Sequence, residues 1–412
     1  MMKLPPIINS LLENDFYKWN MGNVIFLKCN EYTTTWSFKE RNKVTFTPEM
    51  IAEIRAQIDH YCTLRYTEDE LKYLKEVAPW LRQGYLDFLR FWHPRRCEIF
   101  VNEGNIRPYD GCNLAIEATG TWLNTSMYEV PILAIVNEVY FAYTYGVGAL
   151  ESKFIENSVK KFDRLIKGEI DIGNYADFGL RRRYSGKMQD WSVKYQTDKK
   201  NEGLLPGFVG TSNVYLARKY GVKPIGTMAH EFAMCAAQGD PTFNAAFTNA
   251  RVMQLWTDVY GTDNGIMLND TLGDDVFLLD FTKRYATLFN GIRHDSGDPY
   301  AWGEKMLAHY AKLGIDATTK TLLFSDSLDF DRAAGLLKHF KGRCKVSFGI
   351  GTYITCDLGD VPANNVVMKV TKCNGYPVAK ISNDNGKTMC RDEEYIAYLK
   401  RTIEWRIAHQ NV

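Results

Sequence analysis

The segment from Arg293 to Asp298 concentrates residues that could do chemistry. It holds a cation, an imidazole, two carboxylates and a hydroxyl within six positions. A helix N-terminus would account for Asp298 as a cap before Pro299, but not for Arg293 or Asp295. We therefore interpret Arg293 and Asp295 as candidate ligand-binding residues.

A further carboxylate, Asp326, follows the apolar run 322–324. Because ionised carboxylates accept hydrogen bonds from hydroxyls, Asp295 and Asp326 at neighbouring strand ends would suit the vicinal diol of a sugar. The same residue types would suit a pair of metal ligands. Asp326 could also serve only as a helix cap, so three interpretations stay open.

Two other segments are candidates for binding phosphate. Gly349-Ile-Gly-Thr352 is a glycine-rich turn whose backbone N–H groups could cradle a phosphate. Arg181, Arg182 and Arg183 place three cations in succession, a pattern that is also common on solvated surfaces. If the segment is extended, Arg181 and Arg183 share a face and Arg182 points away.

His230 stands apart from most of the histidines. It comes directly after the apolar run 224–228 and Ala229, and it lies beside Glu231. At the end of a strand, its ring could act as a base, a hydrogen-bond donor or a covalent nucleophile.

The elements that would position these residues follow a regular pattern between about residues 161 and 355. Short apolar runs end in polar or glycine clusters, and a helical segment follows each one; the runs are 224–228, 265–268, 289–292, 322–324 and 346–348. Alternating strands and helices predict a parallel sheet. Candidate groups at five strand ends favour a βα-barrel over an open doubly wound sheet, which gathers its ligands at one switch point.

The two ends of the chain lack this alternation. The first third predicts helices, one with a capping box at Thr67 and Glu70, then a strand over 114–120 and a helix over 130–145. Near the C-terminus, two β-rich runs flank Asn374-Gly375, which predicts a hairpin followed by a helix. We predict an α+β domain from residues 1–139, completed by the tail 361–412, and an α/β barrel over 140–360.

Composition excludes several classes of protein. The 412 residues carry 50 Lys+Arg against 49 Asp+Glu, a net charge of +1 that favours neither a nucleic acid nor a membrane surface as partner. The longest apolar stretch, Val130–Val136, is far shorter than the ~18 residues of a membrane span. Nine scattered cysteines without Cys-x-x-Cys spacing, and an N-terminus without a signal sequence, predict a cytoplasmic protein with reduced thiols.

Nine short motifs follow one another along nearly the whole chain: Asn14–Trp19, Phe38–Arg41, Glu129–Ile132, Asp177–Gly179 with Arg181, Phe208–Asn213, Gly226–Glu231, Arg293–Asp298, Phe324–Ser327 and Phe348–Thr352. In this order they resemble the bacterial and yeast nicotinate phosphoribosyltransferases, a family of type II phosphoribosyltransferases. The resemblance implies an irregular α/β barrel and a second, α+β domain formed by the N-terminal part and the C-terminal tail.

The resemblance also implies a reaction. Nicotinate and 5-phosphoribosyl 1-pyrophosphate (PRPP) would give nicotinate mononucleotide and pyrophosphate, the first step of NAD salvage from nicotinate. ATP hydrolysis would be coupled to this synthesis through a phosphohistidine at the position of His230. Mg²⁺ and arginines would neutralise the leaving pyrophosphate; we predict no metal ligand among the protein's own side chains. A homodimer with a shared active site is a further expectation.

Roles for individual residues follow from the same resemblance. Asp295 and Asp326 correspond to ligands of the ribose diol, and Asp270 to a residue that orients His230. The remaining substrate-binding positions are Arg181 and Arg293 for phosphate or base, Gly349, Gly351 and Thr352 for the 5′-phosphate, and Thr211 beside Ser212. Phe178 and Tyr17 would sandwich the pyridine ring, with Tyr17 supplied by the same chain or by a partner subunit.

Ser212 bears on the choice of base. The nicotinamide-using relatives carry a carboxylate at this position, which would repel a carboxylate substrate, whereas a serine hydroxyl can donate to one. The alternatives to a nicotinate phosphoribosyltransferase are a nicotinamide or quinolinate phosphoribosyltransferase and a catalytically silent regulator that binds PRPP. Retention of His230, Asp295 and Asp326 argues against the regulator.

Overall fold

The computed structural model describes residues 3–108, 112–381 and 390–410, in which the strands form two sheets. The N-terminal part forms α1 (Tyr17–Lys28), β1 (Thr33–Glu40), α2 (Pro48–Tyr61), α3 (Glu68–Val77), α4 (Gln83–Phe91), β2 (Ile99–Val101), β3 (Ile116–Thr121), α5 (Trp122–Thr125) and α6 (Glu129–Tyr145). The capping box predicted at Thr67 and Glu70 is present and begins α3.

The middle of the chain alternates strands and helices, as the sequence predicts. Its elements are α7 (Glu151–Ile166), β4 (Asn174–Asp177), α8 (Gly186–Asn201), β5 (Phe208–Thr211), α9 (Val214–Tyr220), β6 (Lys223–Pro224), α10 (His230–Ala233), α11 (Thr248–Tyr260), β7 (Ile266–Leu268), α12 (Asp274–Asp280), α13 (Lys283–Leu288), β8 (Gly291–His294), α14 (Pro299–Lys312), β9 (Thr321–Phe324), α15 (Phe330–Phe340), β10 (Lys345–Ile350) and α16 (Thr352–Thr355).

Strands β4 to β10 form one parallel sheet in the order β6-β5-β4-β10-β9-β8-β7. Because β10 pairs with β4, this order runs around a ring in chain order, with β6 and β7 at its two ends. No backbone ladder joins β6 to β7 within the described ranges, but the Thr227 hydroxyl donates to the Ile266 carbonyl at 2.9 Å. The sheet is therefore a curled, incompletely closed α/β barrel, which confirms the predicted fold class.

Two strand boundaries differ from the sequence prediction. The run 224–228 forms a strand only at Lys223–Pro224, because the next residues pack on α1, where Asn20 donates to the Gly226 carbonyl. The run 289–292 begins as a strand only at Gly291, since Phe289 still ends α13 with its N–H bonded to Tyr285.

The second sheet is antiparallel and contains both ends of the chain. The C-terminal elements are β11 (Val366–Cys373), β12 (Tyr376–Pro377) and α17 (Glu393–Ala408), and the strand order is β12-β11-β1-β3-β2. Asn374 and Gly375 have φ of 51° and 81°, as a tight two-residue hairpin turn requires. Pairing of β11 with β1 brings residues near position 370 beside the N-terminal part.

No helix within these described ranges is long and apolar enough to cross a lipid bilayer.

Candidate active site

Three predicted acidic residues lie at the carboxyl ends of neighbouring strands. Asp270 follows β7, Asp295 follows β8 and Asp326 follows β9, and β8 lies between the other two strands in the sheet. The carboxyl ends of parallel strands meet at one edge, which is where α/β barrels bind ligands.

His230 lies at this edge, as the first residue of α10. Its Nε2 is 2.7 Å from Asp270 Oδ1, and its Nδ1 is 3.7 Å from Asp295 Oδ2. Burial and the neighbouring charge of Lys380 lower the pKa of His230, so the ring is neutral near pH 7. Because the carboxylate of Asp270 can only accept, the neutral ring carries its proton on Nε2 and leaves Nδ1 unprotonated.

The Asp270 carboxylate is fully engaged by protein groups. Besides His230, it accepts hydrogen bonds from the Ser296 hydroxyl and from Lys380 Nζ, the latter at 2.6 Å. Burial opposes ionisation of Asp270, but His230 and Lys380 hold its pKa well below the usual range. Asp270 is thus a charged anchor for the imidazole.

The other two carboxylates remain more accessible. Asp295 accepts from the Ser325 hydroxyl at 3.1 Å, and although burial opposes the shift, Arg293 and His230 hold its pKa below the usual range. The cap of α15 is Asp329, which accepts from the Arg332 N–H, so the interpretation of Asp326 as that helix's cap is wrong.

Arg293 lies within β8, whereas the sequence predicts that it follows the strand. Its Nη1 donates to the Met228 carbonyl at 3.0 Å, which ties β8 to the segment before His230. Its Nε is buried and has no partner among the described residues. One side of this guanidinium can therefore serve a ligand.

The arginine run is not extended, so the expected alternation is wrong. Leu180–Arg182 form a turn of 3₁₀-helix, which places Arg181 and Arg182 on the same cavity. Arg183 points elsewhere and is buried between Glu13, at 3.0 Å, and Glu138, at 2.8 Å. A turn rotates successive side chains by about a third of a circle, whereas a strand alternates them.

Ser212 lies where the segment before α1 contacts the barrel. Phe16 N–H donates to the Ser212 carbonyl, and the Ser212 hydroxyl donates to Asp15 Oδ1 at 2.6 Å. Arg181 Nε lies 3.5 Å from Asp15 Oδ2. The buried Tyr17 hydroxyl has no partner in the described structure.

Thr211 has an internal role in the structure. Its hydroxyl donates to Asp177 Oδ2 at 2.9 Å and accepts from the Asn213 N–H at 3.1 Å. Asp177 also accepts from Gln189 and from the Gly179 N–H. Thr211 therefore holds the turns after β4 and β5 in place.

The predicted glycine cradle divides into two parts. Gly349 belongs to β10, and a Cβ on it would lie 2.3 Å from the ring of Phe178, so this glycine makes room for that ring. Gly351 follows the strand and Thr352 begins the four-residue α16. The part that can present backbone N–H groups to a phosphate is therefore Gly351 and Thr352.

Sequence reasoning missed a group of cations around His230. A cavity of about 100 Å³ is bounded on one side by His230 and on the other by β11; its cationic lining comes from Arg181, Arg182, Lys369 and Lys380. Nearby Arg41 has Nε and Nη2 buried without a partner in the described part of the chain. We refer to Arg41, Arg182, Lys369 and Lys380 as the cationic cluster.

The members of the cationic cluster lie close enough to influence the pKa values of one another. Burial, together with Arg41 and Lys380, lowers the pKa of Lys369 to about 7. Burial, together with Arg181 and Arg41, lowers the pKa of Arg182 to about 10. An anionic ligand would favour the charged forms of these side chains, so the cationic cluster is a candidate anion site. The alternating burial of β11 indicates that Lys369 faces away from the buried Met368, but the sequence alone does not place β11 beside His230.

A larger cavity, of about 440 Å³, lies between the N-terminal segment and the start of α8. The predicted site residues do not line it. Buried Arg183 lies at this cavity, already paired with two carboxylates. The smaller cavity, which His230 and the cations line, is therefore the candidate site.

Comparisons with known proteins find similarity over nearly the whole chain. The sequence model of the nicotinate phosphoribosyltransferase (NAPRTase) family matches residues 174–406, and that of the NAPRTase N-terminal domain matches residues 12–137. A nicotinate phosphoribosyltransferase of Chromobacterium violaceum is 41% identical over 98% of this chain and 99% of its own length. Nicotinate phosphoribosyltransferase 1 of Pseudomonas aeruginosa is 42% identical over 96% of this chain and 97% of its own.

Solved structures are similar over the same extent. A nicotinate phosphoribosyltransferase from Vibrio cholerae superimposes with a TM-score of 0.89 at 35% identity, covering 98% of this chain and 95% of that one. A putative nicotinate phosphoribosyltransferase from Saccharomyces cerevisiae gives a TM-score of 0.88 at 30% identity and covers 98% of this chain and all of that one.

Proposed function

Because this chain belongs to the nicotinate phosphoribosyltransferase family, enzymes that form nicotinate mononucleotide from nicotinate and PRPP, we propose that it couples this reaction to ATP hydrolysis through phosphorylation of His230. The observation that carries the proposal is the pairing of His230 Nε2 with Asp270 beside the cationic cluster. The dyad leaves Nδ1 as a nucleophile, and the cations attract the phosphates of the substrates.

The phosphorylation step uses the neutral imidazole. Nδ1 of His230 attacks the γ-phosphorus of ATP, the bond to the β–γ bridging oxygen breaks, and ADP leaves with the electron pair. Asp270, held in place by Lys380, stabilises the positive charge that the ring gains. The phosphoryl group adds negative charge beside the cationic cluster, which reorganises the contacts of Arg182 and Lys369 with PRPP.

In the transfer step, the pyridine nitrogen of nicotinate attacks the anomeric carbon of PRPP as its bond to the pyrophosphate oxygen breaks. Positive charge develops on the ribose, and we assign its stabilisation to Asp295 and Asp326, which also accept from the ribose hydroxyls. The cationic cluster and Arg293 take the charge of the leaving pyrophosphate.

The specificity for nicotinate rests on donors to its carboxylate. The single proton of the Ser212 hydroxyl is donated to Asp15, so Ser212 offers the base only lone pairs in this arrangement. We therefore assign the carboxylate to Arg181 and to the unsatisfied Tyr17 hydroxyl. Phe178 supplies a ring for stacking.

The group formed by His230, Asp270 and Asp295 does not suit a Mg²⁺ ion. Ligand atoms of His230, Asp270 and Asp295 lie within 4.8 Å of one another, which is close enough to hold an ion. However, Asp270 already bonds Ser296, Lys380 and His230, and the ammonium of Lys380 repels a cation. We assign no step to a protein-bound metal; Mg²⁺ enters the proposal only as a companion of the substrate phosphates.

Labelling with ATP tests the proposal. Incubation with γ-labelled ATP should give a protein-bound label that is labile in acid and stable in base, the signature of a phosphohistidine. The label should be absent in His230→Ala and present in His339→Ala, which changes an exposed histidine paired with Glu304. A wild-type protein without label, or a labelled His230→Ala, would contradict the proposal.

The cytoplasmic location and the homodimer stay predictions. All nine cysteines are free thiols, which fits a reducing compartment. Fractionation and sedimentation velocity would test the two predictions separately.

A further inference from the structure

A buried cluster of three charged residues lies behind the candidate active site. Lys18 Nζ is fully buried and contacts Glu129 Oε2 at 2.7 Å as well as the carboxylate of Glu231. The same ammonium lies 4.9 Å from the centre of the Trp36 ring. We call Glu129, Lys18 and Glu231 the buried triad.

The two carboxylates of the triad reach different parts of the site. Glu129 Oε1 accepts from Arg181 Nη1 at 3.4 Å, so it faces the residues assigned to nicotinate. Glu231 follows His230 in the chain, and its carboxylate also accepts from the Ser126 hydroxyl and from Trp122 Nε1. Both carboxylates line the cavity that holds the cationic cluster. The triad therefore extends by direct contacts from Arg181, at the nicotinate end of the site, to Glu231, which lines the same cavity as His230.

The charges of the triad do not balance within it, because two carboxylates share one ammonium. Arg181 supplies the missing positive charge to Glu129, but it also lies 3.5 Å from Asp15 and so divides itself between two carboxylates. Burial raises the pKa of Glu231, whereas Lys18 and Arg181 overcome burial and lower that of Glu129. The positive charge is thus distributed in favour of Glu129.

A carboxylate ligand changes this distribution. When Arg181 binds the carboxylate of the substrate, its ion pair with Glu129 weakens. The ion pair between Glu129 and Lys18 then becomes stronger. Glu231 then receives less positive charge from Lys18, and this carboxylate lies on the cavity where the phosphates bind. Because the triad is buried, each of these exchanges occurs at low dielectric and is weakly screened by salt.

We propose that Lys18 is a positioning residue that couples binding of the aromatic acid at Arg181 to binding of the polyphosphate anion beside His230, with Glu129 and Glu231 as its two arms. The inference rests on the proposed function, which supplies the two ligands. By linkage, each ligand changes the affinity of the other by the same factor, and coupling of this kind typically amounts to roughly 5- to 150-fold.

Direct binding tests the coupling without turnover. The dissociation constant of nicotinate is measured by isothermal titration calorimetry with and without saturating inorganic pyrophosphate and Mg²⁺. We expect pyrophosphate to change the dissociation constant of nicotinate by at least about fivefold in the wild type and by less than about twofold in Glu231→Gln. This substitution preserves the shape and the acceptor oxygen of the side chain. Lys18→Met should give the same loss of coupling if it folds.

Arg406→Met is the matched control. Arg406 forms a buried ion pair with Asp280 at 3.1 Å between α17 and α12, so its loss costs stability without touching the triad. This variant should keep the coupling factor of the wild type. Full coupling in Glu231→Gln, or none in a wild type that binds both ligands, would overturn the inference alone. A wild type that binds neither nicotinate nor pyrophosphate would overturn the proposed function.

Discussion

The 2.7 Å contact between His230 Nε2 and Asp270 Oδ1 determines which nitrogen of the imidazole is available to react. The carboxylate fixes the proton on Nε2, and Lys380 and Ser296 in turn fix the carboxylate. Nδ1 is left to face Asp295 and the cavity. The chemistry proposed for His230 therefore depends on a group that need not touch the substrate.

Asp270→Asn should slow phosphorylation of His230 by roughly 10²- to 10⁴-fold, because an amide can hold the ring in the wrong tautomer and no longer stabilises the imidazolium. The measurement is the initial rate of label transfer from ATP. Asp316→Asn, at an exposed turn, is the control and should match the wild type. A normal rate in Asp270→Asn would show that Asp270 does not orient His230.

Lys380→Met should raise the pKa of His230, since the ammonium is one of the groups that lower it. In the wild type, phosphorylation should fall with acidification only below the ordinary histidine pKa of about 6.5. Because the unfolded chain binds a proton at His230 where the folded chain does not, stability should also decline as the pH falls below that value. Titration of the His230 ring by NMR measures the shift; an unchanged pKa in the variant would contradict it.

Lys369→Met should weaken the binding of PRPP and stabilise the fold. Burial, Arg41 and Lys380 hold the pKa of Lys369 at about 7, so charging this lysine at neutral pH costs free energy. In the wild type, the KM for PRPP should decrease as the pH falls from 8.5 to 6.5 and the lysine gains its proton. The variant should have a higher KM, a smaller pH dependence of KM and a higher Tm.

Ser212→Asp should impair nicotinate turnover more than folding. The new carboxylate would meet Asp15, whose pKa burial already raises, and would repel the carboxylate of the substrate. We expect the KM for nicotinate to rise at least about tenfold, because juxtaposed like charges cost several kcal/mol and about 1.4 kcal/mol already corresponds to tenfold. Ser212→Ala is the control. Equal turnover of nicotinate by Ser212→Asp and wild type would show that Ser212 does not lie near the carboxylate of the bound substrate.

Gly349→Ala should displace the ring of Phe178, because the added Cβ would lie 2.3 Å from it. Overpacking of this kind costs about 1–3 kcal/mol of stability. The double variant with Phe178→Leu should regain stability by thermal denaturation but not affinity for nicotinate. Recovery of both would separate Phe178 from the nicotinate site.

The sequence predicts the barrel well, because each strand of β7 to β10 is a local apolar run that ends in a polar cluster. It fails where the partner of a segment lies far away in the chain. Residues 225–228 are predicted as a strand, but they contact α1 through the hydrogen bond from Asn20 to the Gly226 carbonyl. Phe289 is also predicted in a strand, but it caps the C-terminus of α13. Both errors arise because local propensity is overridden by tertiary contacts.

In the candidate site, too, the sequence predicts residues that follow local apolar runs and misses residues that distant parts of the chain bring in. Asp270, Asp295 and His230 are visible in the sequence because they follow apolar runs. Lys380 and Lys369 are not, since they reach the site through the pairing of β11 with β1, and Lys380 is 110 positions from Asp270. Arg182 was missed because a 3₁₀ turn, rather than an extended segment, sets its direction.

His230 lies at the opening between β6 and β7 and is held there by its contact with Asp270. Residues 225–229 are attached to the next strand by the Thr227 hydroxyl, and no backbone ladder joins the two described strands. Other hydrogen bonds also hold this segment: Asn20 donates to the Gly226 carbonyl and Arg293 donates to the Met228 carbonyl. The residue proposed to receive and release a phosphoryl group therefore lies at a junction of the barrel that side-chain contacts, rather than a backbone ladder, hold together.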